Sequence, residues 1–78
     1  MAIDVPETIA AALAAGGREF QGSQDELFAY GAPLEQYPCA NRPAGVKCAV
    51  YKCVGDWRLV RYCNGSYGCT ETYEVPCT

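Results

Sequence analysis

Residues 46–63 read VKCAVYKCV-GD-WRLVRYC, and this stretch decides the fold. Its flanks, 46–54 and 57–63, are rich in β-branched and aromatic side chains and alternate with period two, as half-buried strands do. Only Gly55 and Asp56 lie between them. A Gly-X pair in a two-residue loop favours a type II′ hairpin, because glycine accepts the positive φ needed at the first turn position. The hairpin sets a register: Val54 faces Trp57, Cys53 faces Arg58 and Cys48 faces Cys63. Asn64-Gly65 makes the next turn, residues 70–75 form a third strand, and Pro76 closes it beside Cys77.

The cysteines surround this hairpin. Cys39, Cys48, Cys53, Cys63, Cys69 and Cys77 are separated by 8, 4, 9, 5 and 7 residues, and none lies before residue 39. An even number in a chain this short reads as a disulfide framework, with about 15 connectivities open to six cysteines. Structural zinc favours C-x2-C pairs, often with histidine. No such pair and no histidine is present, so three disulfides are expected and no metal.

The chain divides near residue 38. Residues 1–38 are rich in alanine and acidic, with six acids, one base and a net charge of −5. Residues 5–15 read as a helix with Asp4 as its cap, Pro6 and Glu7 in its first turn and Gly16 as a left-handed stop. Val5, Ile9, Ala12 and Leu13 give it a narrow apolar stripe. Residues 24–30 read as a second helix: Ser23 and Glu26 match a capping box, and Gly31 and Pro33 forbid continuation. Leu27, Phe28 and Tyr30 form its apolar side, and 33–38 is a linker. The expected fold class is thus small and disulfide-rich. A short N-terminal helical arm with its linker (1–38) precedes an antiparallel, hairpin-based three-strand domain with three disulfides (39–78).

Composition removes several functions. Without histidine there is no Ser-His-Asp or Cys-His catalysis, and no glycine pattern matches a phosphate loop. Strong core formers are few, and so small a domain has little room for the cleft that paired carboxylates need. A non-enzymatic protein without cofactors is expected. Residues 39–78 carry five bases and three acids, a surplus too small and too dispersed for nucleic-acid binding. No apolar run is long enough for a membrane span.

No basic, apolar export signal opens the sequence, yet six cysteines suit an oxidising destination. Three circumstances reconcile these: a signal already removed, oxidation after release from a lysed host as for virion components, or a hyperthermophilic source. Location outside the cell or on a virion surface is expected. Gly16-Gly17 is similar to the end of a bacteriocin leader, cleavage after which would leave a cysteine-rich peptide starting at Arg18. Asn64-Gly65-Ser66 fits both a glycosylation acceptor and plain turn chemistry.

Cys48-x-x-Tyr51-x-Cys53, Gly55 soon after, and Cys63-x-Gly65-x-Tyr67 together resemble a peritrophin-type chitin-binding domain. The likeness covers Cys39 to Cys77. The first and fourth inter-cysteine loops are shorter than in that family, and Tyr51 sits one residue closer to Cys53. The resemblance implies binding of a chitin-like glycan and the pairs Cys39–Cys53, Cys48–Cys77 and Cys63–Cys69.

The aromatic residues of this half are Tyr51, Trp57, Tyr62, Tyr67 and Tyr73. Exposed tyrosine and tryptophan suit sugar rings and protein hot spots, since each offers a flat face and a polar tip. Trp57, beside the turn, and Tyr67, in a glycine-flanked loop, are the expected exposed pair. Tyr51 and Tyr62 lie in strands and fit either a surface or a core. The expected function is an interaction module for a glycan or a protein surface. A virion or filament subunit that docks by its arm, and a secreted toxin or inhibitor, are the alternatives.

Overall fold

The computed structural model describes residues 5–77. The hairpin forms as expected at its turn: β3 (Lys47–Val54) and β4 (Trp57–Cys63) pair with Val54 opposite Trp57 and Cys53 opposite Arg58. Gly55 has φ 64°, the conformation for which a type II′ turn needs glycine. Beyond that the register departs from expectation. Val50 pairs with Val60, Ala49 with Arg61 and Lys47 with Tyr62, across two bulges. Tyr51 and Lys52 together oppose Leu59, and Cys48 has no opposite residue, so Cys48 does not face Cys63. Each bulge inserts an extra residue and steepens the local twist.

After Cys63 the chain makes one 3-10 turn, Gly65–Tyr67, and returns as β5 (Cys69–Pro76) alongside β4. Two residues at Arg18–Glu19 (β1) pair with β5, and two at Glu35–Gln36 (β2) pair with β3. The sheet therefore has five antiparallel strands in the order β1-β5-β4-β3-β2, two more than expected. Both added strands come from the cysteine-free residues. They carry no hydrophobic alternation to read, because an edge strand of two residues is fixed by backbone pairing alone.

The two helices cover opposite faces of this sheet. Helix α1 (Ile9–Ala14) seats Ala12, fully buried, on Val60, Tyr62 and Val75, with Val5, Ile9 and Tyr73 packed around. Helix α2 (Gln24–Ala29) brings Leu27, with Tyr30 just beyond its end, onto Ala49, Tyr51 and Leu59, joined by Phe20 and Cys69. Residues on β4 alternate between the two clusters, as period two requires. Burial on both faces makes Cys48 to Tyr51 a continuous buried run rather than an alternating one.

Helix α1 starts later than expected. Its cap is Thr8, whose hydroxyl accepts from Ala11 N–H at 3.2 Å, whereas Asp4 lies outside the described residues. Residues 6–8 are held extended by the sheet. Pro6 O accepts from the Tyr62 hydroxyl, Glu7 O accepts from Lys47 N–H, and Thr8 bridges Val46. At its other end Gly17 N–H donates to Ala12 O and Gly16 N–H to Leu13 O, a Schellman stop with Gly16 at φ 94°. Helix α2 has the expected capping box between Ser23 and Glu26.

Gly17 joins α1 to β1 at close quarters. A β-carbon there would lie 2.6 Å from Ala12 O and 3.0 Å from Glu74 O, both backbone atoms. Gly17→Ala is expected to destabilise the fold by about 1–3 kcal/mol, the usual cost of overpacking. A thermal melt reads this directly, and an unchanged midpoint would mean that α1 is not seated on β5.

The disulfides are Cys39–Cys63, Cys48–Cys69 and Cys53–Cys77, so each of the first three cysteines bonds the third one after it. None of the three pairs implied by the resemblance forms. Cys48–Cys69 joins β3 to β5, which flank β4, and Cys53–Cys77 joins β3 to the residue just past the end of β5. Strands two places apart in a flat sheet are separated by about 9–10 Å. Here the bridged Cα atoms are 5.9 Å and 6.2 Å apart, so β3 is tied closely to the first residue of β5 at one end and to the residue following β5 at the other. Cys63 and Cys69 are opposite each other on β4 and β5, yet each bonds elsewhere.

Candidate functional site

One surface cleft is lined by two parts of the chain distant in sequence, the stretch 18–26 and β5. Arg18 and Glu19 belong to β1, Gln21 and Gly22 to the connection, Glu26 to α2 and Glu74 to β5; the cleft volume is about 420 Å³. An adjoining hollow of about 240 Å³ shares Arg18, Glu26 and Glu74 and adds Ala29, Tyr30, Val54 and Trp57.

A chain of contacts fixes this site. The Tyr30 hydroxyl donates to Glu74 Oε2 at 2.7 Å, and Arg18 Nε donates to Glu74 Oε1 at 3.3 Å. The Arg18 guanidinium carbon lies 3.9 Å from the centroid of the Trp57 ring. The Glu74 side chain is only 12% exposed, whereas that of Arg18 is 58% exposed. The ion pair is thus open to solvent on one side and adds little stability. Its effect is positional, since Glu74 is held against the sheet and Arg18 over the indole.

Burial, and then the hydrogen bond to the Glu74 carboxylate, raise the Tyr30 pKa far above the ordinary phenol range. Burial pushes Tyr62 up to about 12. Both folded-state values exceed the unfolded value near 10. The folded chain therefore keeps protons that the unfolded chain releases. Stability is full below about pH 10 and is lost as pH rises through the folded-state values. Urea unfolding at stepped pH is expected to show this loss beginning near pH 10 and reaching about 1.4 kcal/mol per pH unit for each tyrosine. Tyr30→Phe and Tyr62→Phe should each flatten the slope; a slope unchanged in both variants would contradict the assignment.

Across α2 from the cleft is an apolar hollow of about 230 Å³ lined by Leu27, Phe28, Gly31, Tyr51 and Arg61. Phe28 is 72% exposed and Leu34 is 65% exposed. Leu34 N–H donates to Val50 O, which holds Leu34 on the edge of the sheet beside Tyr51.

The five aromatic candidates do not share a surface. Tyr62 and Tyr51 are buried in the two opposite cores; Tyr62 is sealed from solvent, and Tyr51 reaches it only as part of the wall of the apolar hollow. Tyr73 is half-buried and packs edge-on against Tyr62, with centroids 5.8 Å apart. Trp57 is half-buried beneath Arg18. Tyr67 is 79% exposed on the 3-10 turn. Trp57 begins β4 and Tyr67 follows its end, so about 20 Å of strand separates them and no single sugar ring reaches both. Tyr37, 42% exposed, stands apart with its hydroxyl on Glu35 Oε1 and Arg42 near its ring.

None of Arg18, Glu26, Tyr30 and Glu74 is among the site residues expected from the sequence. Arg18 and Glu74 are 56 positions apart, and nothing in local spacing signals that a two-residue strand brings them together. Phe28 was legible only as part of an apolar helix side. No protein-family model, curated protein or solved structure matches the chain.

Proposed function

We propose that the chain is a non-enzymatic interaction module acting outside the cell, and that its partner is a protein segment carrying an apolar anchor flanked by basic residues. The observation that carries this reading is the pair of hollows on either side of α2. One is apolar and presents Phe28; the other has three glutamates and one arginine, a local charge of −2. An exposed phenylalanine beside a hollow is the form of a protein hot spot, and the acidic neighbour favours cations at its rim. The glycan reading has less support, since Trp57 lies under Arg18 and the remaining exposed tyrosines are dispersed.

Panning a displayed peptide library against the intact protein tests this. Enriched peptides should combine lysine or arginine with a large apolar residue. Phe28→Ala should weaken their binding by about 30-fold, the scale of a hot spot, while Tyr67→Ala leaves it unchanged. Binding indifferent to Phe28→Ala would overturn the site. Retention on chitin that is lost in Trp57→Ala would overturn the partner class in favour of a glycan.

A further inference from the structure

One cation on the α2 face of the sheet has no anion to answer it. Arg61 stands on β4 two residues beyond Leu59, so period two sets both on the face that α2 covers. Arg61 is half-buried, and its Nε donates to Thr72 Oγ1 at 3.4 Å. That contact uses the Nε edge of the guanidinium and leaves the fork of the two Nη atoms. Among the described residues the ion pairs are Arg18–Glu74 and Lys47–Glu7, and no carboxylate lies within 4 Å of Arg61. The same side chain forms one wall of the apolar hollow, whose other walls are Leu27, Phe28, Gly31 and Tyr51. An uncharged hollow thus has a single charged group at its side, and that charge is positive.

We infer that this hollow takes the C-terminal residue of the partner segment, with its apolar side chain among Leu27, Phe28 and Tyr51 and its terminal carboxylate on the Arg61 guanidinium. The inference rests on the peptide-binding reading above and adds the end of the peptide to it. Size favours one residue over a free small molecule. Sites for small molecules run to about 300–1,000 Å³. The hollow, at about 230 Å³, is smaller than that and suits one large apolar side chain. Charge favours a chain end over an internal anchor. An internal apolar residue would cover the half-buried guanidinium without pairing it, and desolvating an unpaired charge is costly. A terminal carboxylate accepts from both Nη atoms in the bidentate geometry that arginine and carboxylate share. The contact also fixes direction, because the peptide then runs back from Arg61 across α2 toward Glu26 and Glu74 in the acidic cleft. A helix is about 10–12 Å wide and an extended chain covers about 3.3–3.6 Å per residue, so the basic residue belongs about three or four positions before the C-terminus.

Synthetic fluorescent heptapeptides test this against the intact, oxidised protein. They carry lysine at the third and fourth positions before a variable C-terminal residue, and each is made both as the free acid and as the C-terminal amide. Fluorescence anisotropy should find binding by the free acids that end in leucine, isoleucine, phenylalanine or methionine. The matching amides should bind about tenfold more weakly or worse, the scale of a hydrogen-bonded charge pair. Arg61→Gln should abolish this difference between acid and amide, and Arg61→Lys, which keeps the charge, should retain part of it. Phe28→Ala should weaken both forms alike. Amides that bind as tightly as acids, with both forms sensitive to Phe28→Ala, would overturn the carboxylate contact and leave the peptide site standing. Binding by neither form would overturn the inference, while the library panning decides the broader reading separately. Hexanoate bound as tightly as the best peptide would also overturn it, by assigning the hollow to a free acid.

Discussion

Replacing Cys48 and Cys69 together by alanine should lower the unfolding free energy by about 2–5 kcal/mol, a large share of the stability of so small a domain. The comparison with the Cys53–Cys77 bridge makes the expectation specific. The three disulfides span separations of 24, 21 and 24 residues. Loop-closure entropy varies only with the logarithm of length, so entropy alone makes the three nearly equivalent. Burial separates them: Cys48 is fully buried, whereas Cys53 is exposed at the hairpin end. Removing the inner pair leaves a cavity as well as a longer loop, so it should cost more than removing the outer pair. Parallel urea melts of the two double-alanine variants read the difference. Equal losses would mean that packing around Cys48 adds nothing.

The second large effect is expected at Tyr62. Tyr62→Ala should cost about 3–5 kcal/mol, as for other large aromatic truncations in cores. The ring is fully buried between α1 and the sheet, meets Tyr73 edge-on, and its hydroxyl donates to Pro6 O at 3.1 Å. Tyr62→Phe removes only the hydroxyl and should cost about 1 kcal/mol. Tyr67→Ala, at an exposed ring, should fall within about 0.5 kcal/mol of the parent. Thermal unfolding of the three variants checks the series. A mild effect of Tyr62→Ala would show that α1 is not packed on this face, and it would return the tyrosine to the surface candidates.

Much of the local structure was legible because it rests on local chemistry. Gly55-Asp56 fixes the hairpin turn, Ser23 with Glu26 fixes the start of α2, and Gly16 stops α1. The start of α1 was misplaced because residues 6–8 bond to the sheet, and tertiary partners outweighed helix propensity there. The hairpin register beyond the turn, which set Cys48 opposite Cys63, failed for a different reason. The extra residue at Cys48, and another opposite Leu59, shift β3 against β4, and no propensity encodes them.

The candidate site was less legible still. Glu74 is one of many charged residues in the sequence, and only pairing of β1 with β5 sets Arg18 on it and Tyr30 beside it. Read alone, the sequence determined that this is a small disulfide-rich protein built round one hairpin with two capped helices before it. Those features depend on residues a few positions apart, where turn, cap and period act directly on the backbone. Tertiary structure alone decided that the cysteine-free residues supply both sheet edges and cover both faces, and that β3 is stapled to β5 across β4. It also decided which aromatics are core. Each of these depends on where the sheet's bulges fall and on which segments pack against it, and both are set among residues distant in the chain.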